Sequence, residues 1–226
     1  MDDNLSWEFQ VNQVSNKISK LNGLLSRLRH FFPKRILKII YNSLILSILN
    51  YGILCWGFGS CERIKILQKK AIRNVNHSPY NAHTLPICKQ LNVLLFDDLF
   101  DLACLKFFYK YKNKHLPNYF LQCDFMKKYN ARRLNLRVAK QSIFQNYITD
   151  DVNYRPLYII PRNITASSEK RLSIHLANLL NKNHFPKCII EKIDSHSIYG
   201  VTEYFKKITI QSYNPFCQIV NCYICN

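Results

Sequence analysis

Acidic side chains are scarce in this sequence. Its 226 residues contain 14 Asp and Glu against 32 Lys and Arg, which gives a formal net charge of +18. From Lys17 to Cys61 there are seven basic residues and no acid at all. Because a solvated surface normally mixes both signs, the imbalance favours a polyanionic partner, either nucleic acid or an anionic membrane surface.

Motifs of the common catalytic classes are also missing. There is no glycine-rich phosphate loop, no Gly-x-Ser-x-Gly and no His-Glu-x-x-His. The acidic pair that invites comparison with a polymerase metal site, Asp97-Asp98, directly follows Phe96 and lacks the spacer found in such sites. The residues after it have a helical period, so the pair is predicted to begin a helix, where the dipole favours acids. We therefore predict no catalytic residue.

No signal peptide is predicted either, because Met1 is followed by two acids rather than by a basic and then an apolar run. The nine cysteines are odd in number and stand mostly among apolar neighbours. These features predict reduced thiols and an intracellular protein, in the nucleus or the cytoplasm.

The C-terminal cysteines leave two interpretations open. Cys217, Cys222 and Cys225 have a CxxxxCxxC spacing that suits three ligands of a zinc ion, which requires a fourth. The other interpretation is that they are incidental reduced thiols, and on this second interpretation no metal or other cofactor is predicted.

The segment 36–58 is long and apolar enough to raise the question of a membrane span. It contains Lys38, Asn42, Ser43 and Asn50, however, and polar residues near the centre of a span are costly. A buried helix is the preferred interpretation. Association of a basic helical protein with membranes through residues 36–58 is the alternative.

Apolar periodicity predicts a mainly α fold. One helix follows Ser6 and ends before Pro33, a second runs from Pro33 to about Leu49, a third from near Ser60 to His77, and a fourth from Asp97 to about Lys112. Beyond that point the signal weakens, and only the segments 172–181 and 201–213 have a helical pattern.

The third helix contains the stretch KILQKKAIRNV. At 100° per residue, Ile64, Leu67, Ala71 and Val75 fall on one side, and four cations cover the other side: Lys65, Lys69, Lys70 and Arg73. Such a helix is predicted to pack on its apolar side and to face a polyanion on the other.

Taken in order, these segments resemble the C-terminal part of non-LTR (LINE-type, jockey-like) retrotransposon reverse transcriptases. The matching segments are DDNLSW with VSNKISKLNGLLSRLRHFFP, ILKIIYNSLILSILNYGILCWG, ILQKKAIRNV, HTLP, QLNVL, DLFDLACLKFFYKYKNKHLP and YNARRLNLR. Their ordered series carries the resemblance, which thins after Arg137. The Trp-Asn…Leu-Pro element usual near the end of the family is replaced here by LANLLNKNHFPKCIIEKID.

The resemblance implies a reverse-transcriptase thumb-like helical bundle over residues 1–117, followed by a less regular basic C-terminal region over 118–226. In the family, the fingers and the palm with its Mg²⁺-binding aspartates lie upstream of this segment. The chain is therefore expected to be a truncated, non-catalytic copy without an Mg²⁺ site of its own. Its expected partners are the missing palm domain and the template–primer, an RNA or DNA duplex bound without sequence preference.

The residues expected to contact the phosphates of that duplex are all basic. They are Lys65, Lys69, Lys70, Arg73, Arg29, Lys34, Arg35, Arg132, Arg133 and Arg137.

Overall fold

A computed structural model describes residues 7–118 and 197–213, together with the single positions 172, 176, 189, 192 and 193. Of the described residues 76% are helical and none lies in a β-strand, which confirms the predicted mainly α class. The chain divides into two compact units, Met1–Lys110 with Cys188–Asn226, and Tyr111–Lys187. The thumb-like architecture and the division after residue 117 stay predictions.

The largest contact between described helices joins α1 (Glu8–Leu28) to α5 (Glu62–Val75). α1 buries one apolar side, formed by Val11, Val14, Ile18 and Leu25. Trp7 rather than Ser6 is the residue before its first turn, and Ser6 lies outside the described residues. Hydrogen bonds between the helices join Asn16 to Arg63 (3.4 Å), Asn22 to Leu67 (2.9 Å) and Arg29 to Asn74 (3.5 Å). Because the residue numbers of the partners increase in the same direction on both helices, α1 and α5 are parallel.

The predicted second helix exists but is not uniform. It consists of α2 (Lys34–Ile40), a π-helical segment (Tyr41–Leu46) and α3 (Ser47–Asn50). Its buried side chains recur every four residues, at Leu37, Tyr41, Ile45 and Leu49. In an α-helix, which has 3.6 residues per turn, side chains four residues apart shift gradually around the helix and would leave the core. The wider turn of the π-helical segment reduces this shift, so that all four side chains face the core.

A short helix that was not predicted, α4 (Ile53–Trp56), lies between the second and third predicted helices. Trp56 is buried, and its indole N–H donates to the Tyr51 carbonyl at 2.8 Å. Gly57 permits close packing on Phe100, because a Cβ there would lie 2.7 Å from that ring.

Two further helices follow α5 in the first half of the chain. α6 (Thr84–Leu91) was not predicted, and it ends at Asn92 in the left-handed conformation. α7 (Phe96–Lys112) begins one residue before the predicted start, and Asp97 and Asp98 occupy its first turn, which confirms their interpretation as a helix start.

The predicted helix 201–213 is present as α8 (Ile198–Ser212), which starts earlier because the Ser197 hydroxyl accepts a hydrogen bond from the Gly200 amide. Buried Tyr213 follows α8 and joins it to α7: its hydroxyl donates to the Asp98 carboxylate and accepts from the Leu95 amide at 3.1 Å. The predicted helix 172–181 lies largely outside the described residues.

None of the helices in the described part of the chain is both long enough and apolar enough to cross a membrane.

Candidate nucleic-acid interface

α5 buries the side that its periodicity predicts. Ile64, Ala71 and Val75 are fully enclosed, and Leu67 is half-buried. Gln68 is also buried, because its amide donates to the Tyr41 hydroxyl at 3.1 Å and to the Leu94 carbonyl at 3.0 Å. The inner side of α5 is thus fixed by packing and by hydrogen bonds, so the outer side stands on a rigid support.

Lys65 does not belong to the outer side. Its ammonium lies 2.9 Å from Glu62 Oε1 and 3.1 Å from Asp97 Oδ1, and only 28% of its side chain is exposed. The hydrogen bond to Glu62, reinforced by Asp97, raises the pKa of Lys65 against the opposing effect of partial burial. Lys65 is therefore engaged within the protein and is less suited to bind phosphate than its predicted role requires.

Arg73 is also engaged within the protein. Its Nε donates to the Ala82 carbonyl at 2.7 Å, which holds the guanidinium against the segment that precedes α6. Partial burial lowers the pKa of Arg73. The residue is half-buried rather than fully displayed on the surface.

Lys69 and Lys70 are exposed, as predicted. Within the described residues neither side chain makes an ion pair or a hydrogen bond to the protein. Exposed Arg63 stands seven residues before Lys70, two helical turns away on the same line. Ile66 lies on this side too, with 63% of its surface exposed. Arg63 was not among the predicted site residues, although its spacing from Lys70 is visible in the sequence.

α1 contributes a second row of cations beside α5. Asn16, Lys20, Gly23 and Arg27 recur at spacings of four, three and four residues, share one side of α1 and are exposed. Arg63 donates to Asn16 Oδ1, so this row borders α5. We define the cationic face as five of the exposed cations of the two helices: Lys20, Arg27, Arg63, Lys69 and Lys70.

The dimensions of the cationic face suit a nucleic-acid backbone. Lys20 and Arg27, like Arg63 and Lys70, are separated by about 10 Å along the helix axis. The axes of packed helices lie about 8–10 Å apart, which sets the scale of the separation between the two rows. This is the scale of a duplex groove, about 6 Å for the minor and 12 Å for the major groove of B-DNA.

The other predicted contacts are divided between described and undescribed parts of the chain. Arg29 lies at the end of α1, where its Nη1 is 3.5 Å from Asn74 Oδ1 on α5. Lys34 and Arg35 are exposed in the first turn of α2. The remaining predicted contacts lie outside the described residues: Arg132, Arg133 and Arg137.

Among the described residues, no group of three or more His, Cys, Asp or Glu side chains is placed to hold a metal ion. The candidate zinc ligands Cys217, Cys222 and Cys225 lie outside the described residues.

Comparison of the chain with protein-family models, with curated proteins and with solved structures gave no match.

Proposed function

We propose that this chain is a helical nucleic-acid-binding module, the thumb and post-thumb part of a non-LTR retrotransposon reverse transcriptase. It holds the phosphates of an RNA or DNA duplex without reading base sequence. On this proposal it acts in the nucleus or the cytoplasm, the segment has no polymerase activity of its own, and Mg²⁺ belongs to the palm domain of the parent enzyme.

The observation that carries the proposal is the cationic face. Two parallel helices, fixed to each other by hydrogen bonds and by a packed core, together display these five exposed cations. α1 and α5 each contain one acid, Glu8 and Glu62, and both stand in the first turn. Cations that are held on rigid elements neutralise phosphates and release counterions, which supplies affinity that does not depend on sequence.

The sequence resemblance supports the same location. The segment ILQKKAIRNV, which is similar to the thumb helix of the family, corresponds to most of α5 and carries Lys69 and Lys70. The segment VSNKISKLNGLLSRLRHFFP supplies the row on α1. Two of the segments that resemble the family thus contribute the two rows of cations.

The test compares two triple variants that lose the same charge. Lys20→Ala/Arg27→Ala/Lys70→Ala removes part of the cationic face, and Lys106→Ala/Lys110→Ala/Lys207→Ala removes three exposed cations of α7 and α8. Affinity for two duplexes of equal length and different sequence is measured by fluorescence anisotropy at several salt concentrations. The plot of log affinity against log salt is expected to flatten by about 0.9 unit per lost phosphate contact in the first variant only.

The expected loss is the same for both duplexes, since phosphate contacts carry no base information. Equal losses in the two variants would show that overall charge, and not the cationic face, binds the duplex. Primer extension on a primed RNA template with Mg²⁺ and deoxynucleotides is expected to give no product, and extension above a mock preparation would contradict the non-catalytic part of the proposal.

Membrane association through residues 36–58 is the second candidate. Ile39 is 56% exposed, and Phe31 just before this segment is 80% exposed, with exposed Lys34 and Arg35 between them. Aromatic and aliphatic side chains next to cations are typical of surfaces that bind anionic lipid. Co-sedimentation with anionic but not neutral vesicles, in the absence of duplex binding, would favour this candidate over the first.

A further inference from the structure

A cavity of about 320 Å³ lies between the C-terminal half of α5 and the N-terminus of α6. Lys69 and Arg73 line one side of it, and Ala82, His83, Thr84 and Leu85 line the other. Its volume is at the lower end of the range for ligand pockets, roughly 300–1,000 Å³. The cavity thus joins two cations of one helix to the first turn of the next.

The two cations converge because of helix geometry and one hydrogen bond. Lys69 and Arg73 are four residues apart, so their side chains lie one above the other on α5. The bond from Arg73 Nε to the Ala82 carbonyl fixes the plane of the guanidinium, and no hydrogen bond within the described residues uses its two terminal nitrogens. The two terminal nitrogens of the Arg73 guanidinium are therefore held in one plane at the wall of the cavity and can donate to a ligand.

The charge of Arg73 is poorly compensated by the protein. Its half-buried guanidinium forms no ion pair with a carboxylate in the described part of the chain, and burial lowers its pKa. A partly desolvated cation without a counter-charge gains more from binding an anion than an exposed cation does, because its hydration is already reduced.

α6 supplies donors from the opposite wall. The first amides of a helix have no intrahelical acceptor, and those of Thr84 and Leu85 lie in the first turn of α6. His83 occupies the capping position, but its side chain does not cap the helix. Free first-turn amides and the helix dipole both favour a negatively charged group at this end.

From the convergence of two cations and a helix N-terminus on one cavity, we infer that the cavity binds a phosphate group, with Arg73 and Lys69 contacting its oxygens and the first-turn amides of α6 donating to it. The ligand is either a terminal phosphate or an internal phosphodiester of a bound nucleic acid. The inference rests on the proposed function for the source of this phosphate, but the cavity is testable with inorganic phosphate alone.

The first test uses the adjacent residues Lys69 and Lys70 as a matched pair. Both are exposed lysines of α5, and only Lys69 of the two lines the cavity. The full ¹⁵N-labelled chain is titrated with inorganic phosphate at constant ionic strength, and the backbone amides of residues 82–85 are followed by NMR. Lys69→Ala is expected to weaken binding about tenfold, as for the loss of one charge-assisted hydrogen bond, and Lys70→Ala to leave it nearly unchanged.

A second pair of variants tests the opposite wall without touching either cation. Leu85→Glu places a carboxylate at the lining of the cavity, where it competes with phosphate, and Gln90→Glu adds the same charge at an exposed position of α6 outside it. Phosphate binding is expected to be lost in the first variant only. No saturable shift in the unaltered chain, equal effects of Lys69→Ala and Lys70→Ala, or equally tight binding of acetate would overturn the inference.

Duplexes with and without a 5′-phosphate then distinguish the two sources. If Lys69→Ala removes only the advantage of the phosphorylated end, the cavity holds a terminal phosphate; if it weakens both duplexes more than Lys70→Ala does, the cavity holds an internal phosphodiester. Phosphate binding at the cavity without any duplex binding would refute the proposed function and leave the cavity site standing. Duplex binding that depends on Lys70 but not on Lys69 would refute the cavity site and leave the proposed function standing.

Discussion

The ammonium of Lys65 lies 3.1 Å from a carboxylate oxygen of Asp97, which joins the N-terminal part of α5 to the first turn of α7. Glu62 holds the same ammonium from the preceding turn of α5 at 2.9 Å. Two carboxylates thus share one lysine of α5. The stretch that first indicated a polyanion partner therefore contains cations that serve the fold, Lys65 and also Arg73, besides the exposed lysines.

This ion pairing predicts different effects for two lysines of α5. Lys70→Ala is expected to lower the slope of log duplex affinity against log salt by about 0.9 unit, because one phosphate contact is lost. Lys65→Ala is expected to change the slope much less and to lower the free energy of unfolding by less than about 1 kcal/mol, since the pair is partly solvated. Anisotropy titrations and urea unfolding of both variants check this, and an equal drop in slope would show that Lys65 also reaches phosphate.

The helices with a strong local pattern could be predicted from the sequence. The apolar residues of α1 and α5 recur every three or four positions, and a helix that packs against a core must bury that side. Asp97 and Asp98 indicated the start of α7, because acidic side chains in the first turn interact favourably with the helix dipole. These features depend only on residues within a few positions of one another.

Partners that are distant in the chain could not be predicted in this way. In the sequence, Lys65 and Arg73 cannot be told from the exposed lysines of α5, because all of them are cations away from its apolar side. In the structure, however, Lys65 pairs with Asp97, and Arg73 donates to the Ala82 carbonyl. α6 was missed for a different reason: it is eight residues long and includes Pro86, and no side chain caps its start. Its place next to α5 results from tertiary packing, which also creates the cavity.

Two glycines are expected to respond to alanine with opposite signs. Gly23 lies in the middle of α1, is exposed, and a Cβ there would meet no atom within 4 Å. Gly23→Ala is therefore expected to raise the free energy of unfolding by about 0.5–1 kcal/mol through helix propensity. A Cβ at Gly57 would lie 2.5 Å from the Ile53 carbonyl oxygen and 2.7 Å from Phe100. Gly57→Ala is expected to lower the same free energy by about 1–3 kcal/mol through overpacking.

Unfolding by urea, followed by circular dichroism, measures both glycine variants. A stabilised Gly57→Ala would mean that α4 and α7 do not pack as closely as described. Gly23 also adjoins the cationic face, so Gly23→Ala provides a second readout. If the variant is more stable but binds duplex more weakly, the nucleic-acid backbone approaches α1 closely at this glycine.

Tyr213 is expected to be a stabilising contact between α8 and the first half of the chain. Its buried hydroxyl donates to Asp98 and accepts from the Leu95 amide, so Tyr213→Phe leaves two partly buried groups without this partner. The expected cost is about 1–3 kcal/mol of unfolding free energy. Tyr199→Phe removes the same hydroxyl from a side chain that is 73% exposed and serves as the control, with a change within about 0.5 kcal/mol. Equal effects of the two substitutions in urea unfolding would contradict the described contact.

The cysteines of the described region are expected to react with alkylating reagents at very different rates. Cys55 is exposed, and Cys61, Cys88 and Cys104 are buried free thiols. Burial raises the pKa of Cys61 to about 11, although the nearby charge of Lys65 opposes this effect, and it raises the pKa of Cys88 to about 12. A raised pKa means that the thiol keeps its proton at pH 8. Because only the thiolate is the nucleophile, about one Cys61 in a thousand is then reactive, even before access is considered.

Native alkylation with iodoacetamide at pH 8, followed by peptide mass mapping, is therefore expected to modify Cys55 well before Cys61 and Cys88. Labelling at pH 9 should speed any reaction at Cys61 about tenfold, since its thiolate fraction rises tenfold per pH unit far below the pKa. Alkylation of the urea-unfolded chain provides the control, in which the three sites should react at similar rates. If Cys61 and Cys88 react as fast as Cys55 in the folded chain, α5 and α6 are not packed against the core as the structure describes, and the cavity between them loses its walls.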